Sequence, residues 1–113
     1  MNKKVLCLLV SALLISLNEN YAQYQKVNSS NLDVYYRIFG NGIPVLIIGG
    51  GPGDNSNRYL SLCNLLSNNF RCILIDQRGT GKSIPEIFDL TTISISLTLN
   101  DFEILRKSLG LKE

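Results

Sequence analysis

The chain has 113 residues, a formal net charge of +2, three cysteines and no histidine. That length holds one small domain and is short for most α/β enzymes. The weak charge without a basic cluster gives no footprint for nucleic acid, and the missing histidine excludes a histidine-based triad or metal site built from this chain alone.

Residues 1–22 read as an export leader. Lys3 and Lys4 form the basic start, residues 5–17 are apolar apart from Ser11 and Ser16, and Ala22 offers a small residue before a cut at Gln23. The apolar run is shorter than the about 20 residues a membrane span needs. Asn20 at the −3 position leaves an uncleaved anchor as the alternative, the one case in which a membrane is a partner. The expected destination is the periplasm or the exterior. Residues 23–113 then suffice for one small domain.

A short strand is expected at residues 24–27, followed by the turn cluster Asn28-Ser29-Ser30-Asn31. Asn28-Ser29-Ser30 also spells a glycosylation acceptor, here taken as turn chemistry. Residues 32–39 alternate and are rich in β-branched and aromatic side chains, so they predict a strand. Together these make an antiparallel hairpin at a sheet edge. Residues 45–48 are apolar without alternation, which fits a strand covered on both faces. Asp54, Asn55, Ser56 and Asn57 are candidate helix caps. Tyr59, Leu60, Leu62, Cys63, Leu65 and Leu66 follow a 3.6-residue period and predict a helix with one buried face. Residues 71–76 are a second strand with a continuous apolar centre. Strand, helix and strand in this span make a βαβ unit, so residues 45–48 and 73–75 should run parallel. A last helix is expected from about residue 97 to 108, capped by Thr98 or Asn100 and stopped by Gly110. Ile93, Ile95, Leu97 and Leu99 alternate like a strand, so its start is ambiguous. Cys63 and Cys72 are expected as buried free thiols.

Two glycine-rich loops leave the carboxyl ends of the two parallel strands, where open α/β sheets bind ligands. The first is Gly49-Gly50-Gly51-Pro52-Gly53, a side-chain-poor loop able to present backbone N–H groups to a reacting atom. The second is Asp76-Gln77-Arg78-Gly79-Thr80-Gly81-Lys82-Ser83. Its end, Gly81-Lys82-Ser83, invites a phosphate-binding reading through residues 79–83. The P-loop spacing, however, needs glycine where Asp76 stands. No G-x-S-x-G elbow is present, so a serine triad cannot be completed within these residues. No metal-ligand spacing and no cofactor motif occurs.

The two loops resemble the proline iminopeptidase branch of the α/β-hydrolase superfamily. That branch carries H-G-G-P-G after its third strand and D-Q-R-G-x-G-x-S after its fourth. The second pattern fits residues 76–83 throughout; the first fits except that Gly49 replaces the histidine. The resemblance runs from about Tyr24 to Glu113. It implies the N-terminal part of an α/β-hydrolase sheet: an edge hairpin, a parallel βαβ unit and a further helix, incomplete before the nucleophile elbow. By the same resemblance Gly51, with Gly50 beside it, supplies the oxyanion N–H. Gly49, Pro52, Gly53, Asp76, Gln77, Arg78, Gly79 and Gly81 shape the loops or border the substrate pocket. Nucleophile, acid and histidine fall downstream of Glu113, so catalytic residues within this chain are none. The implied substrate of the complete enzyme is a small peptide, with a downstream C-terminal half as partner. Two other readings stand beside it. One is a non-catalytic exported binding module; the other is a phosphate or nucleotide binder.

Overall fold

The computed structural model describes residue 2 and residues 22–112. The expected leader falls almost wholly outside the described residues. Four strands form one mixed sheet: β1 (Gln25–Ser29), β2 (Leu32–Phe39), β3 (Ile43–Ile47) and β4 (Phe70–Ile75), in the order β1-β2-β4-β3. Two α-helices, α1 (Leu60–Leu66) and α2 (Ile95–Ser108), complete the fold, with a 3-10 turn at Ser56–Tyr59 leading into α1.

β1 and β2 pair antiparallel with Ser29 opposite Leu32. The turn is only Ser30-Asn31, and both residues have positive φ, 47° and 60°. That is the twist a two-residue hairpin requires. The strand thus runs through Asn28 and Ser29, further than the turn-rich composition suggested. β3 and β4 run parallel and adjacent, with Val45 opposite Cys72 and Leu46 opposite Ile73.

β4 is the buried centre of the sheet, and its side chains alternate between two cores. Ile73 and Ile75 join Leu32, Val34, Tyr36 and Leu105 under α2. Cys72 and Leu74 join Phe39 and Cys63 under α1. This explains the unbroken apolar run in β4, which is covered on both faces. The same expectation fails for β3. Ile43 is 69% exposed, and Leu46 and Ile48 are partly open. Here β3 is an edge strand, with only Pro44 along it lacking an N–H to offer. Beside this edge lies a cavity of about 350 Å³, lined by Leu46, Ile73, Leu99, Phe102, Leu109 and Leu111 among others.

Two further expectations are corrected. In α1 only Cys63 is fully buried, while Leu62 and Leu65 face outward, so the apolar stripe is wider than the face the sheet covers. α2 starts at Ile95, two residues before the expected start. Its cap is Ser94, whose Oγ accepts the Leu97 N–H at 3.2 Å, rather than Thr98 or Asn100. The alternating Ile93, Ile95, Leu97 and Leu99 are therefore helical from Ile95 onward. Gly110 ends the helix as expected, with its N–H on the Lys107 carbonyl.

Cys63 and Cys72 are free and buried. Burial pushes the Cys63 thiol up to about 11 and raises Cys72 as well. Thiolate is the reactive form. Both thiols should therefore resist iodoacetamide at pH 8 in the folded chain and react fully in denaturant, as read by peptide mass mapping of the two positions.

Candidate functional site

Both glycine-rich loops emerge at the carboxyl ends of β3 and β4, and hydrogen bonds tie them together. Gly53 N–H donates to the Gly79 carbonyl at 3.0 Å, and Gln77 Nε2 donates to the Gly49 carbonyl at 3.2 Å. Since β3 and β4 are neighbours in register, the second loop supports the first from the side.

Within the first loop the peptide groups differ. Gly50 N–H donates to Asp54 Oδ2 at 2.9 Å. Asp54 also accepts from its neighbour Asn55 N–H at 3.0 Å and from Arg58 Nη1 at 3.1 Å. The Gly50 amide holds the Asp54 carboxyl below its ordinary 3.8, with help from Arg58. The Gly51 carbonyl accepts from Asp54 N–H at 3.1 Å, while the Gly51 N–H has no acceptor among the described residues. Gly51 has φ of +123°, a conformation that side chains rarely permit. Of the two amides singled out in the sequence, Gly50 is thus engaged and Gly51 is available. A side chain at Gly49 would meet only ordinary contacts, at 3.4 Å from Asp54 Oδ2 and 3.5 Å from Tyr59. The backbone there thus accepts a Cβ, the first atom of the histidine that the resemblance puts at this position.

The second loop is organised around two buried charges. Asp76 is fully buried. It accepts from Ser56 Oγ and, at 2.9 Å, from Lys82 N–H. Arg37 lies behind, donating from Nη2 to Ser56 Oγ at 3.0 Å and to Asn57 Oδ1 at 2.8 Å. A methyl group at Gly81 would overlap the Asp76 carboxylate, so the loop can wrap that carboxylate only with glycine there. Tyr24 seals this polar cluster. Its ring centre lies 4.4 Å from the Arg37 guanidinium and 4.2 Å from Lys82 Nζ, placing it in reach of two cation–π contacts.

These contacts bear on the phosphate reading. Lys82 N–H serves Asp76, Gly79 N–H serves the Ser83 carbonyl, Thr80 N–H serves Gln77, and Ser83 N–H serves Thr80. Amides that would cradle a phosphate are spent inside the loop, around a carboxylate that repels one.

Arg78 is 3% exposed and Asp101, on α2, is fully buried. Their pairing is bidentate: Arg78 Nε to Asp101 Oδ2 at 2.9 Å and Nη2 to Oδ1 at 2.8 Å. Arg78 Nη1 also donates to the Thr92 carbonyl at 3.1 Å, and Ser29 Oγ donates to Asp101 at 2.6 Å. Arg78 therefore braces from within; it does not reach the Gly51 amide. The sequence did not single out Asp101, though it falls four residues before Leu105, on the buried stripe of the helix. Of the candidate caps Asp54, Asn55, Ser56 and Asn57, it is Asn55 that caps the 3-10 turn, while Asp54 serves the glycine loop. The cavity under β3 contains none of the loop residues and lies on the α2 face.

Two outcomes follow. Asp101→Ala strands a buried guanidinium and should cost about 3–5 kcal/mol in urea unfolding. The double variant R78M/D101L, which removes both charges, should cost clearly less. Asp54 has a folded pKa below its unfolded value, so its contribution is present above about pH 4 and is lost as pH falls through the lower folded value. The Gly50 amide shift in an NMR titration should report that midpoint below 3.8, and D54A should abolish the titration and speed exchange of the Gly50 amide.

Comparison with known proteins agrees with this geometry. A family model described as alpha/beta hydrolase fold matches residues 43–113. The proline iminopeptidase of Xylella fastidiosa is 38% identical over 80 residues, covering 69% of this chain and 25% of that protein. Among solved structures, the proline iminopeptidase-related protein of Thermus thermophilus superposes with a TM-score of 0.71 at 25% identity, covering 82% of this chain and 34% of that one. An epoxide hydrolase of Vigna radiata gives a TM-score of 0.69 at 23% identity over 80% of this chain and 29% of its own, a likeness of fold. The chain spans about a quarter of the length of the curated relatives it matches. Matched over more than half its length by the family model, the chain belongs to the alpha/beta hydrolase fold family and is proline iminopeptidase-like.

Proposed function

We propose that this chain supplies the oxyanion side of an exported serine hydrolase that releases an N-terminal residue, often proline, from small peptides. The observation that carries this is the Gly51 amide. It has no acceptor among the described residues, follows the carboxyl end of a parallel strand, and lies in a loop tied to Asp54 and to Gly79. A preorganised backbone donor of this kind stabilises the negative oxygen of a tetrahedral intermediate. The chain has no histidine, so in this reading the base of the triad comes from other polypeptide, together with the serine and acid it acts with. In that chemistry the serine oxygen bonds to the scissile carbonyl carbon, its proton passes to the base, and the peptide amine leaves with that proton. Water then releases the acyl group.

The open edge of β3 supports the same reading. A further parallel strand set against Leu46 and Ile48 would cover the apolar groove and complete the sheet beside the Gly51 loop. The proposed export rests on the leader pattern of residues 1–22. No helix among the described residues is long and apolar enough to cross a membrane.

The test uses two polypeptides. The chain alone should give no hydrolysis of L-prolyl p-nitroanilide. The second joins the chain, at its last residue, to the part of the Xylella fastidiosa enzyme that follows the matched segment. It should melt cooperatively and hydrolyse the same compound. Turnover by the chain alone, or a fusion that neither gains a cooperative melt nor turns over, overturns the proposal. A chain that melts cooperatively by itself and gains nothing from fusion is the signature of a binding module instead.

A further inference from the structure

We infer that Asn41 is a site of spontaneous deamidation, where this chain forms aspartyl and isoaspartyl residues without an enzyme, and that the fold itself demands the glycine that makes it reactive. The site lies at the amino end of β3, opposite the end that carries the glycine loops. It does not rest on the hydrolase reading.

The position follows from the topology. β2 and β3 are consecutive in sequence, yet they do not pair with each other; each flanks β4. Phe39 stands opposite Cys72, and Ile43 opposite Phe70. Gly40, Asn41 and Gly42 are the whole link between the two strands, and they must cross the start of β4. Three residues manage this only by lying against its backbone. A methyl group at Gly40 would overlap the carbonyl oxygens of Ser67 and Phe70, and one at Gly42 would lie 2.6 Å from the Asn69 carbonyl oxygen. Gly40 and Gly42 have positive φ, 76° and 117°. Neither position admits a side chain. Asn41 is therefore followed by a glycine that the packing does not allow to change.

That neighbour sets the reactivity. Ring closure requires the backbone nitrogen of the next residue to reach the asparagine side-chain carbon, and glycine puts nothing in its way. Asn41-Gly42 is the only Asn-Gly step in the sequence. Both residues are exposed to water. Neither the Asn41 side chain nor the Gly42 N–H has a hydrogen-bond partner among the described residues. Other asparagines are engaged: Asn28 with Asp33, Asn55 with the Asn57 N–H, Asn57 with Arg37, and Asn100 with Ser30.

The step needs only water. The Gly42 nitrogen gives up its proton and bonds to Asn41 Cγ; the Cγ–Nδ2 bond breaks and that nitrogen leaves as ammonia. Water then opens the cyclic imide at one of its two carbonyls. One opening gives aspartate. The other gives isoaspartate, whose main chain runs through the side-chain carbon. The link packs against the Ser67 carbonyl at the carboxyl end of α1. A new carboxylate there meets the negative end of the helix, and isoaspartate also lengthens a link that is tightly spanned.

The test incubates the full chain at pH 8 for days and maps its peptides by mass, with isoaspartate counted by enzymatic methyl transfer. Deamidation should appear in the peptide carrying Asn41, at a rate within about tenfold of the free peptide of residues 38–44, because an exposed link needs little local opening. N41Q should remove it. G42A should slow it and unfold at lower urea. The isoaspartyl chain should unfold at lower urea than N41D, which carries the same charge on an ordinary backbone. An intact Asn41 after the free peptide has converted, or conversion spread evenly over the other asparagines, overturns the site. A G42A chain as stable as the unsubstituted one overturns the claim that the fold demands the glycine.

Discussion

One buried ion pair holds the candidate site together. Arg78 and Asp101 come from a loop and a helix with little else to join them, and each is shielded from water. An unpaired charge in that position would be strongly unfavourable, so the two elements are obliged to meet. The pair also gathers Ser29 from the hairpin and the carbonyl of Thr92. Four segments distant in sequence are thereby fixed around the base of the second glycine loop. Through Gln77 and Gly79 that loop then sets the position of the first.

The division of labour between the two loops follows from where their polar groups point. The second loop turns its amides inward, onto Asp76 and its own carbonyls. It is a brace, and its chemistry is consumed by bracing. In the first loop Asp54 takes the Gly50 N–H, while the Gly51 N–H has no acceptor among the described residues. A carboxylate placed next to a proposed oxyanion donor is counter-intuitive electrostatically. Here its charge is shared with Arg58 and with two backbone N–H groups, so it orders the loop while its field is partly neutralised.

Much of this was legible in the sequence, for reasons that particular residues make clear. β2 was found at its true bounds because residues 32–39 alternate while one strand partner covers each side. β4 announced itself by an apolar run that two helices bury. β3 was misjudged because residues 45–48 carry the signature of a strand covered on both faces, while here Leu46 and Ile48 stay exposed. The start of α2 was obscured because Ile95 and Leu99 satisfy a strand's alternation and a helix's i, i+4 spacing at once; Ser94 broke the tie. Asp101 was hidden for another reason. An acidic residue inside a helix is usually a solvated charge, and its partner Arg78 is joined to it only by the folded topology. Gly51 could be nominated from the motif, but that its N–H lacks an acceptor among the described residues was not visible from sequence.

The bare edge of β3 has a consequence for the life of the polypeptide. Residues 43–48 contain no charged gatekeeper and only one proline. A strand of that kind is a template for cross-β growth whenever another apolar strand is near. Covering it by its own sheet is a first-order event, whereas recruitment by a sister molecule grows with concentration. Local concentration therefore decides which happens, and a covered edge is a protection against aggregation.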